Sequence, residues 1–157
     1  MRSYLAFLIA YLFSPGISFA QLKAGDISPN LQITHWIQNI PANTSLDGKF
    51  LVIDFWATWC APCLASMPHM NDLISENKNN KHLLFLALSD EESERILPML
   101  KRVKISAVIV SDTTQKTQKQ FKIQSIPYSV VIDDKKQIKW AGDPAELTND
   151  VLQNILN

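Results

Sequence analysis

The stretch FLVIDFWATWCAPC, residues 50–63, joins an apolar run to two closely spaced cysteines. Residues 50–56 are apolar except for Asp54, which is typical of a central β-strand covered on both faces. From Cys60 to Asn77 the apolar residues recur at helical spacing, and Pro62 fits the first turn of a helix, where its missing N–H costs nothing. The stretch therefore predicts a strand that runs directly into a helix, with Cys60 at the helix N-terminus.

Cysteines in this position are suited to redox chemistry. Unpaired N–H groups and the dipole at a helix N-terminus favour a thiolate, which makes Cys60 the candidate nucleophile. Cys63 lies one helical turn further on, close enough to attack a mixed disulfide and release a substrate. The pair therefore predicts thiol-disulfide exchange, with Cys60 and Cys63 forming a redox-active disulfide.

Other uses of the two cysteines are less well supported. A disulfide across so short a loop would stabilise the fold weakly, and a zinc site would need ligands that no second cysteine pair supplies. Haem attachment needs His after the second cysteine, where Leu64 stands. Copper binding by Cys60, Cys63 and His69 stays open as an alternative. We assign no metal and no organic cofactor to this protein.

Length and charge limit the class of protein. The chain has 157 residues, 46% of them hydrophobic, which is enough for one domain with a substantial core. Its 15 Lys and Arg residues balance 15 Asp and Glu residues, so the surplus of positive charge that a nucleic-acid partner would require is absent from the sequence.

The first twenty residues have the layout of a secretory signal peptide. Arg2 is followed by an apolar run at 5–13 and by the small-residue ending Ser18-Phe19-Ala20. The run is about half as long as a bilayer span requires. We expect cleavage after Ala20, which leaves a domain of residues 21–157 that does not span a membrane. This domain would lie in the periplasm or another extracytoplasmic compartment, where disulfides persist.

The remaining pattern alternates between strands and helices, which predicts a layered α/β domain around a central sheet. Ser89 and Glu92 have capping-box spacing at the start of the second helix, and the last helix begins near Thr148 and is expected to bury Val151, Leu152, Ile155 and Leu156. Strands are predicted at 31–34, 50–56, 83–88, 108–110, 128–132 and 137–141, and helices at 60–77, from about 93 to 104, at 114–121 and from 148 onward.

Residues 52–63, together with Pro68 and the Ile126-Pro127 pair before a strand, resemble the thioredoxin superfamily. The signal peptide, the entry segment 25–30 and the extra helix between Leu88 and Val108 make the chain similar to TlpA/ResA-like extracytoplasmic thiol-disulfide oxidoreductases. The resemblance implies a thioredoxin-like fold: a central mixed sheet flanked by helices on both faces, with the extra helix inserted between Leu88 and Val108. It also implies that Cys60 attacks, that Cys63 resolves and that Pro127 is a cis-proline facing the pair.

The same resemblance outlines a substrate surface. The backbone of Ile126 would pair with a substrate segment in the manner of a strand, beside Ala61 and Pro62. Trp56 and Trp59 could shape the docking surface, although aromatic residues beside a strand are more often part of the core. Two departures from thioredoxin stand out. First, no Lys lies in residues 83–88, where thioredoxins often place a partner for the buried Asp that corresponds to Asp54. Second, Ala61-Pro62 stands where thioredoxin has Gly-Pro, so the resemblance does not fix the reduction potential.

Asp54 is the third candidate for a catalytic role. Alternation places it on the same face of its strand as Val52 and Trp56, where its carboxyl group would be desolvated. Desolvation without a Lys partner raises the pKa of a carboxyl group, so Asp54 could titrate near neutrality and exchange the proton of Cys63. The competing interpretation is an exposed or backbone-bonded Asp near the strand end.

These inferences predict an enzyme that reduces disulfides of protein partners through Cys60 and is regenerated by a membrane-linked thiol electron donor. One alternative is a peroxiredoxin-like peroxidase, although Ala57 stands where that chemistry uses a Thr. The other is the copper chaperone described above.

Overall fold

The computed structural model describes residues 21–157, so the predicted signal peptide lies outside the described residues. Six strands and four α-helices follow one another along the chain, with a short 3-10 helix at Pro144–Glu146. In chain order they are β1 (His35–Gln38), β2 (Phe50–Phe55), α1 (Ala61–Glu76), β3 (Leu83–Ser89), α2 (Ser93–Leu100), β4 (Val108–Ser111), α3 (Lys116–Gln120), β5 (Tyr128–Ile132), β6 (Ile138–Gly142) and α4 (Asn149–Leu156).

The strands form one mixed sheet in the order β1-β4-β3-β2-β5-β6. Strand β2 runs parallel to β3, and β3 parallel to β4, whereas the pairs β1–β4, β2–β5 and β5–β6 are antiparallel. Helix α2 connects β3 to β4, as predicted for the inserted helix. The expected mixed sheet with a central β2 is confirmed.

Apolar clusters cover both faces of the sheet. On one face, Val52 and Trp56 pack with residues of α1, α2 and α4, among them Met67, Ile96 and Leu152. On the other face, Ile53 and Phe55 pack with Phe121, which follows α3. Because β2 alternates between two buried faces, its side chains are apolar on both sides, which explains the continuous apolar run in the sequence.

The first strand begins later than predicted. Residues 31–34 were expected to be extended in the sheet, but β1 is His35–Gln38 and pairs with β4. The hydroxyl group of Thr117 accepts a hydrogen bond from Gln32 N–H at 2.8 Å and donates one to Gln32 C=O at 3.0 Å. The backbone of Gln32 is therefore hydrogen-bonded to a side chain and not to a neighbouring strand. Pairing of β1 with β4 begins only at His35, which lies opposite Ser111.

The predicted capping box at Ser89 is also wrong. Ser89 ends β3 and is paired with Ser111, so it cannot cap the next helix. Helix α2 begins after Glu92, which makes no side-chain cap hydrogen bond, and ends at Leu100 instead of Lys104. Residues 101–103 form a turn whose Arg102 N–H donates to Met99 C=O at 2.8 Å.

The last two helices differ from prediction in extent and burial. Helix α3 covers Lys116–Gln120 instead of 114–121, because Thr114 is held outside it by the carboxylate of Asp112. Thr148 caps α4 as predicted, accepting from Val151 N–H at 3.3 Å. Only Leu152 of the four expected apolar residues is fully buried, whereas the other three pack half-buried against the core. Within residues 21–157, no helix has the length and apolarity needed to cross a membrane.

Candidate redox site

A tight turn carries the chain from β2 to Cys60. Trp56 N–H donates to Leu88 C=O at 3.1 Å, which continues the contact with β3, and Cys60 N–H then donates to Ala57 C=O at 3.1 Å. Cys60 is the N-cap of α1, with extended φ and ψ of −86° and 91°. The strand, the turn and the helix therefore place Cys60 at the helix N-terminus, as the sequence predicted.

The two cysteines are joined in a disulfide bond. Their Cα atoms lie 5.2 Å apart, and Cys63 N–H donates to Cys60 Sγ at 3.2 Å. The pair is almost enclosed, with Cys60 3% exposed and Cys63 0% exposed. The N–H group at the start of α1 thus points at the sulfur that would carry negative charge in the reduced protein.

Exposed side chains surround the buried pair. Trp59 is 69% exposed, and Ala61 and Pro62 are also exposed. In contrast, Trp56 is fully buried, and its Nε1 has no hydrogen-bond partner within the described part of the chain. Trp59, Ala61 and Pro62 therefore form exposed surface next to Cys60. Trp56, which the sequence also offered for this surface, belongs to the core instead.

Asp54 is buried beside this region, 3% exposed. Its Oδ1 accepts a hydrogen bond from the Ser129 hydroxyl group at 2.8 Å, whereas Oδ2 has no partner among residues 21–157. Desolvation by burial raises the pKa of Asp54 to about 7, opposed by the hydrogen bond from Ser129 and assisted by the negative charge of Asp143. Asp54 is thus a buried acid, and the exposed alternative does not hold.

Sheet register explains why Ser129 is the partner of Asp54. Asp54 lies between Ala87 on β3 and Ser129 on β5, so the neighbouring strands offer it one hydroxyl group and no cation. Alternation along β2 places Asp54 on the face of Val52 and Trp56, which pack in the same cluster as Cys60 and Cys63. Sequence reasoning did not find Ser129, because its pairing with β2 bridges 75 positions.

The peptide bond between Ile126 and Pro127 is cis, as the resemblance implied. Strand β5 begins directly afterwards, and its Tyr128 pairs with Phe55 at the end of β2. Ile126 packs against the cluster that contains both cysteines. The segment before β5 therefore lies at the same end of the sheet as the disulfide.

The contacts of His69 and Ala57 bear on the two alternative functions. His69 Nε2 hydrogen-bonds to Leu147 C=O at 3.0 Å, and across residues 21–157 no three His, Cys, Asp or Glu side chains come together as a metal-binding group. Ala57 is buried and supplies no hydroxyl group to Cys60. Neither copper binding nor peroxidase chemistry is favoured by a contact in this site.

Sequence reasoning also missed Glu91. This residue was considered only as part of the Ser89 capping box, yet its carboxylate accepts hydrogen bonds from the N–H and the hydroxyl group of Thr58, two residues before Cys60. The only signal in the sequence is an acidic residue two positions after a buried strand, which does not indicate its partner.

The chain resembles proteins of known type over most of its length. It is 29% identical over 140 residues to the thiol-disulfide oxidoreductase ResA of Oceanobacillus iheyensis, covering 86% of this chain and 72% of that protein. It is 28% identical to ResA of Bacillus cereus, covering 72% of this chain and 65% of that protein. A solved structure described as a thiol:disulfide interchange protein DsbE from Chlorobium tepidum has the same fold, with a TM-score of 0.68 and 24% sequence identity. The match covers 86% of this chain and 96% of that chain. A model of the Redoxin family matches residues 23–156. Because this match covers almost all of the described residues, the chain, with its buried Cys-x-x-Cys pair and mixed sheet, belongs to the Redoxin family.

Proposed function

We propose that this protein is an extracytoplasmic thiol-disulfide oxidoreductase that reduces disulfides of protein partners. The observation that carries the proposal is the Cys60–Cys63 disulfide at the N-terminus of α1, with only Cys60 retaining exposed surface. The ResA proteins to which the chain is similar carry the name thiol-disulfide oxidoreductase, which supports the reaction class of this proposal.

The reaction begins from the reduced pair. The Cys60 thiolate attacks one sulfur of the substrate disulfide; a bond forms between Cys60 and that sulfur, and the substrate S–S bond breaks. The second substrate sulfur leaves as a thiolate and takes a proton from solvent. Cys63, as a thiolate, then attacks Cys60 Sγ: the Cys60–Cys63 bond present in the structure forms, the bond between Cys60 and the substrate breaks, and the first substrate sulfur leaves as a thiolate that takes up a proton. The substrate has then gained two electrons from the cysteine pair, together with two protons.

Asp54 supports the second step in this proposal. Cys63 must lose its proton to attack, and it is enclosed by apolar side chains that exclude water. Asp54 faces the same cluster, has an oxygen with no partner among the described residues and has a pKa of about 7. A base whose pKa lies near the working pH is suited to accept this proton and return it later.

The substrate surface is formed by the exposed Trp59, Ala61 and Pro62 next to Cys60, together with the segment at Ile126 and Pro127. Trp59 offers a large apolar area to a partner. The surface that surrounds the disulfide of a partner protein determines whether that protein can dock here.

Residues 1–20 serve as a cleaved signal peptide in this proposal, so that residues 21–157 act outside the cytoplasm. A membrane-linked thiol donor returns two electrons to the Cys60–Cys63 disulfide and regenerates the thiols. Such a donor is needed because the reduced pair is consumed in each turnover.

The experiment is to pre-reduce the protein, remove the reductant and mix it with insulin, a protein disulfide substrate. Wild type should reduce insulin, Cys63→Ser should accumulate a mixed disulfide through Cys60, and Cys60→Ser should do neither. Thiol-trapping gels and mass spectrometry measure these species. The matched control is Ser66→Ala, a replacement in the same helix of a hydroxyl group that donates only to Cys63 C=O at 2.8 Å.

Mixed disulfides formed through Cys63 in Cys60→Ser, at the wild-type rate, would contradict the assigned order of attack. Failure of the wild type to reduce insulin, combined with rapid oxidation of a reduced protein substrate, would show that the electrons flow in the opposite direction.

A further inference from the structure

Glu91 is a buried carboxylate directed at the turn before Cys60. It is 9% exposed. Its Oε2 accepts from Thr58 N–H at 2.6 Å, and its Oε1 accepts from the Thr58 hydroxyl group at 2.8 Å. Both oxygens of one carboxylate thus bind one residue, which lies 33 positions earlier in the chain.

Thr58 lies in the tight turn that connects β2 to α1. The hydrogen bond from Cys60 N–H to Ala57 C=O closes the turn, so Thr58 and Trp59 are its two central residues. Glu91 therefore holds the first central residue in place, Trp59 projects from the second, and Cys60 follows as the N-cap of α1.

Within its own segment of the chain, the Glu91 carboxylate makes only weak contacts. Glu92, not Glu91, is the N-cap of α2. Ser89 donates to Oε2 at the longer distance of 3.3 Å, and Arg95 lies 3.8 Å from Oε1 but is 68% exposed, so its contribution is small. A buried carboxylate is costly unless hydrogen-bonded, and here the two short bonds to Thr58 provide most of that compensation.

We propose that Glu91 is a positioning residue for thiol-disulfide exchange: its carboxylate fixes the turn at residues 57–60 and thereby the approach geometry of Cys60 and Trp59 to a partner protein. This inference rests on the function proposed above. Exchange requires the attacking sulfur to align with the substrate S–S bond, and small displacements of reacting groups lower such rates strongly. A fixed turn keeps Cys60 Sγ in contact with Cys63 N–H, at 3.2 Å, while the partner binds.

The test measures the second-order rate constant of the pre-reduced protein with insulin for Glu91→Gln and Glu91→Ala. Gln can accept only one of the two bonds, so we expect about a threefold loss, and Ala should lose about tenfold because both bonds are absent. Rates are compared under conditions in which circular dichroism shows each variant fully folded. Glu92→Gln is the matched control, with the same charge change one residue away, and should keep the wild-type rate.

A double-mutant cycle with Thr58→Ala distinguishes positioning from general stability. If Glu91 acts through Thr58, the rate losses of Glu91→Gln and Thr58→Ala are not additive, whereas Glu92→Gln and Thr58→Ala combine additively. Thr58→Ala retains the buried carboxylate and its bond from the backbone N–H, so this cycle decides the question even if Glu91→Ala does not fold.

Glu91 variants that are less stable yet react with insulin at the wild-type rate per folded molecule would overturn the inference. Additive losses in the Glu91 and Thr58 cycle would overturn it as well. Both outcomes require an active wild type, whereas a wild type that leaves insulin oxidised would overturn the proposed function itself.

Discussion

Replacing Asp54 by Asn removes the buried titratable group and retains its shape. The pKa of Asp54 is raised by burial to about 7, against about 3.9 for an ordinary Asp in an unfolded chain. The protonated form is therefore favoured in the folded protein. Its contribution to stability is fully present below about pH 4 and is lost as the pH rises through about 7.

The size of this effect follows from the two pKa values. Their difference corresponds to about 4 kcal/mol of stability lost by the wild type between pH 4 and pH 8. Asn at this position can still accept from Ser129, but its amide group would lack a partner where Oδ2 lacks one now, which costs about 1–3 kcal/mol. We therefore expect Asp54→Asn to be more stable than wild type by about 1–3 kcal/mol at pH 8 and equal or less stable at pH 4.

Urea unfolding of both proteins between pH 4 and pH 9, in the oxidised state, measures this difference. Ser129→Ala is the second variant, because loss of its hydrogen bond should raise the pKa of Asp54 further and move the pH dependence upward. Insulin reduction over the same range should be about a hundredfold slower in Asp54→Asn, with a flatter pH profile, because Cys63 loses its proton acceptor.

A stability difference that does not change with pH would refute the raised pKa of Asp54. A large loss of stability at every pH would identify the carboxylate as a structural acceptor, and an unchanged rate profile would refute its role in proton transfer.

Three further predictions concern the thiols, the fold and processing. Iodoacetamide should label Cys60 before Cys63 in the reduced protein, as measured by peptide mass spectrometry, because Cys60 is at the helix N-terminus and Cys63 is enclosed; faster labelling of Cys63 would contradict this. Asp112→Ala should lower the free energy of unfolding at pH 7 by about 3 kcal/mol, because a fully buried acceptor of three hydrogen bonds is removed. Burial raises the pKa of Asp112, but hydrogen bonds from Thr114 and Thr117 together outweigh this effect and lower the pKa. The loss of stability caused by Asp112→Ala should therefore shrink below about pH 4. A loss in urea unfolding that does not change with pH would exclude this role. Protein exported from its natural host should begin at Gln21 by intact-mass measurement, whereas retention of Met1 would contradict signal-peptide cleavage.

Local sequence patterns determined much of the fold. The strand β5 coincides with its prediction, and β2 and α1 differ from theirs by about one residue at the ends. These elements are continuous in sequence, and burial on both faces of β2 leaves a run of apolar residues that is readable without a structure. The position of Cys60 at the start of α1 follows from the same local information, because it needs only a strand, a turn and a helix in succession.

Partners that come from distant segments were decided by the tertiary structure. Whether Asp54 meets Ser129 depends on the register of β2 against β5, and whether Thr58 meets Glu91 depends on the pairing of β2 with β3. The start of β1 depends on Thr117, which engages the backbone of Gln32. A sequence shows that Asp54 and Glu91 are acidic, but only the packed sheet removes water from them and supplies their hydrogen bonds. Because the cost of burying a carboxylate depends on those bonds, the properties of both residues arise from the fold and not from local sequence.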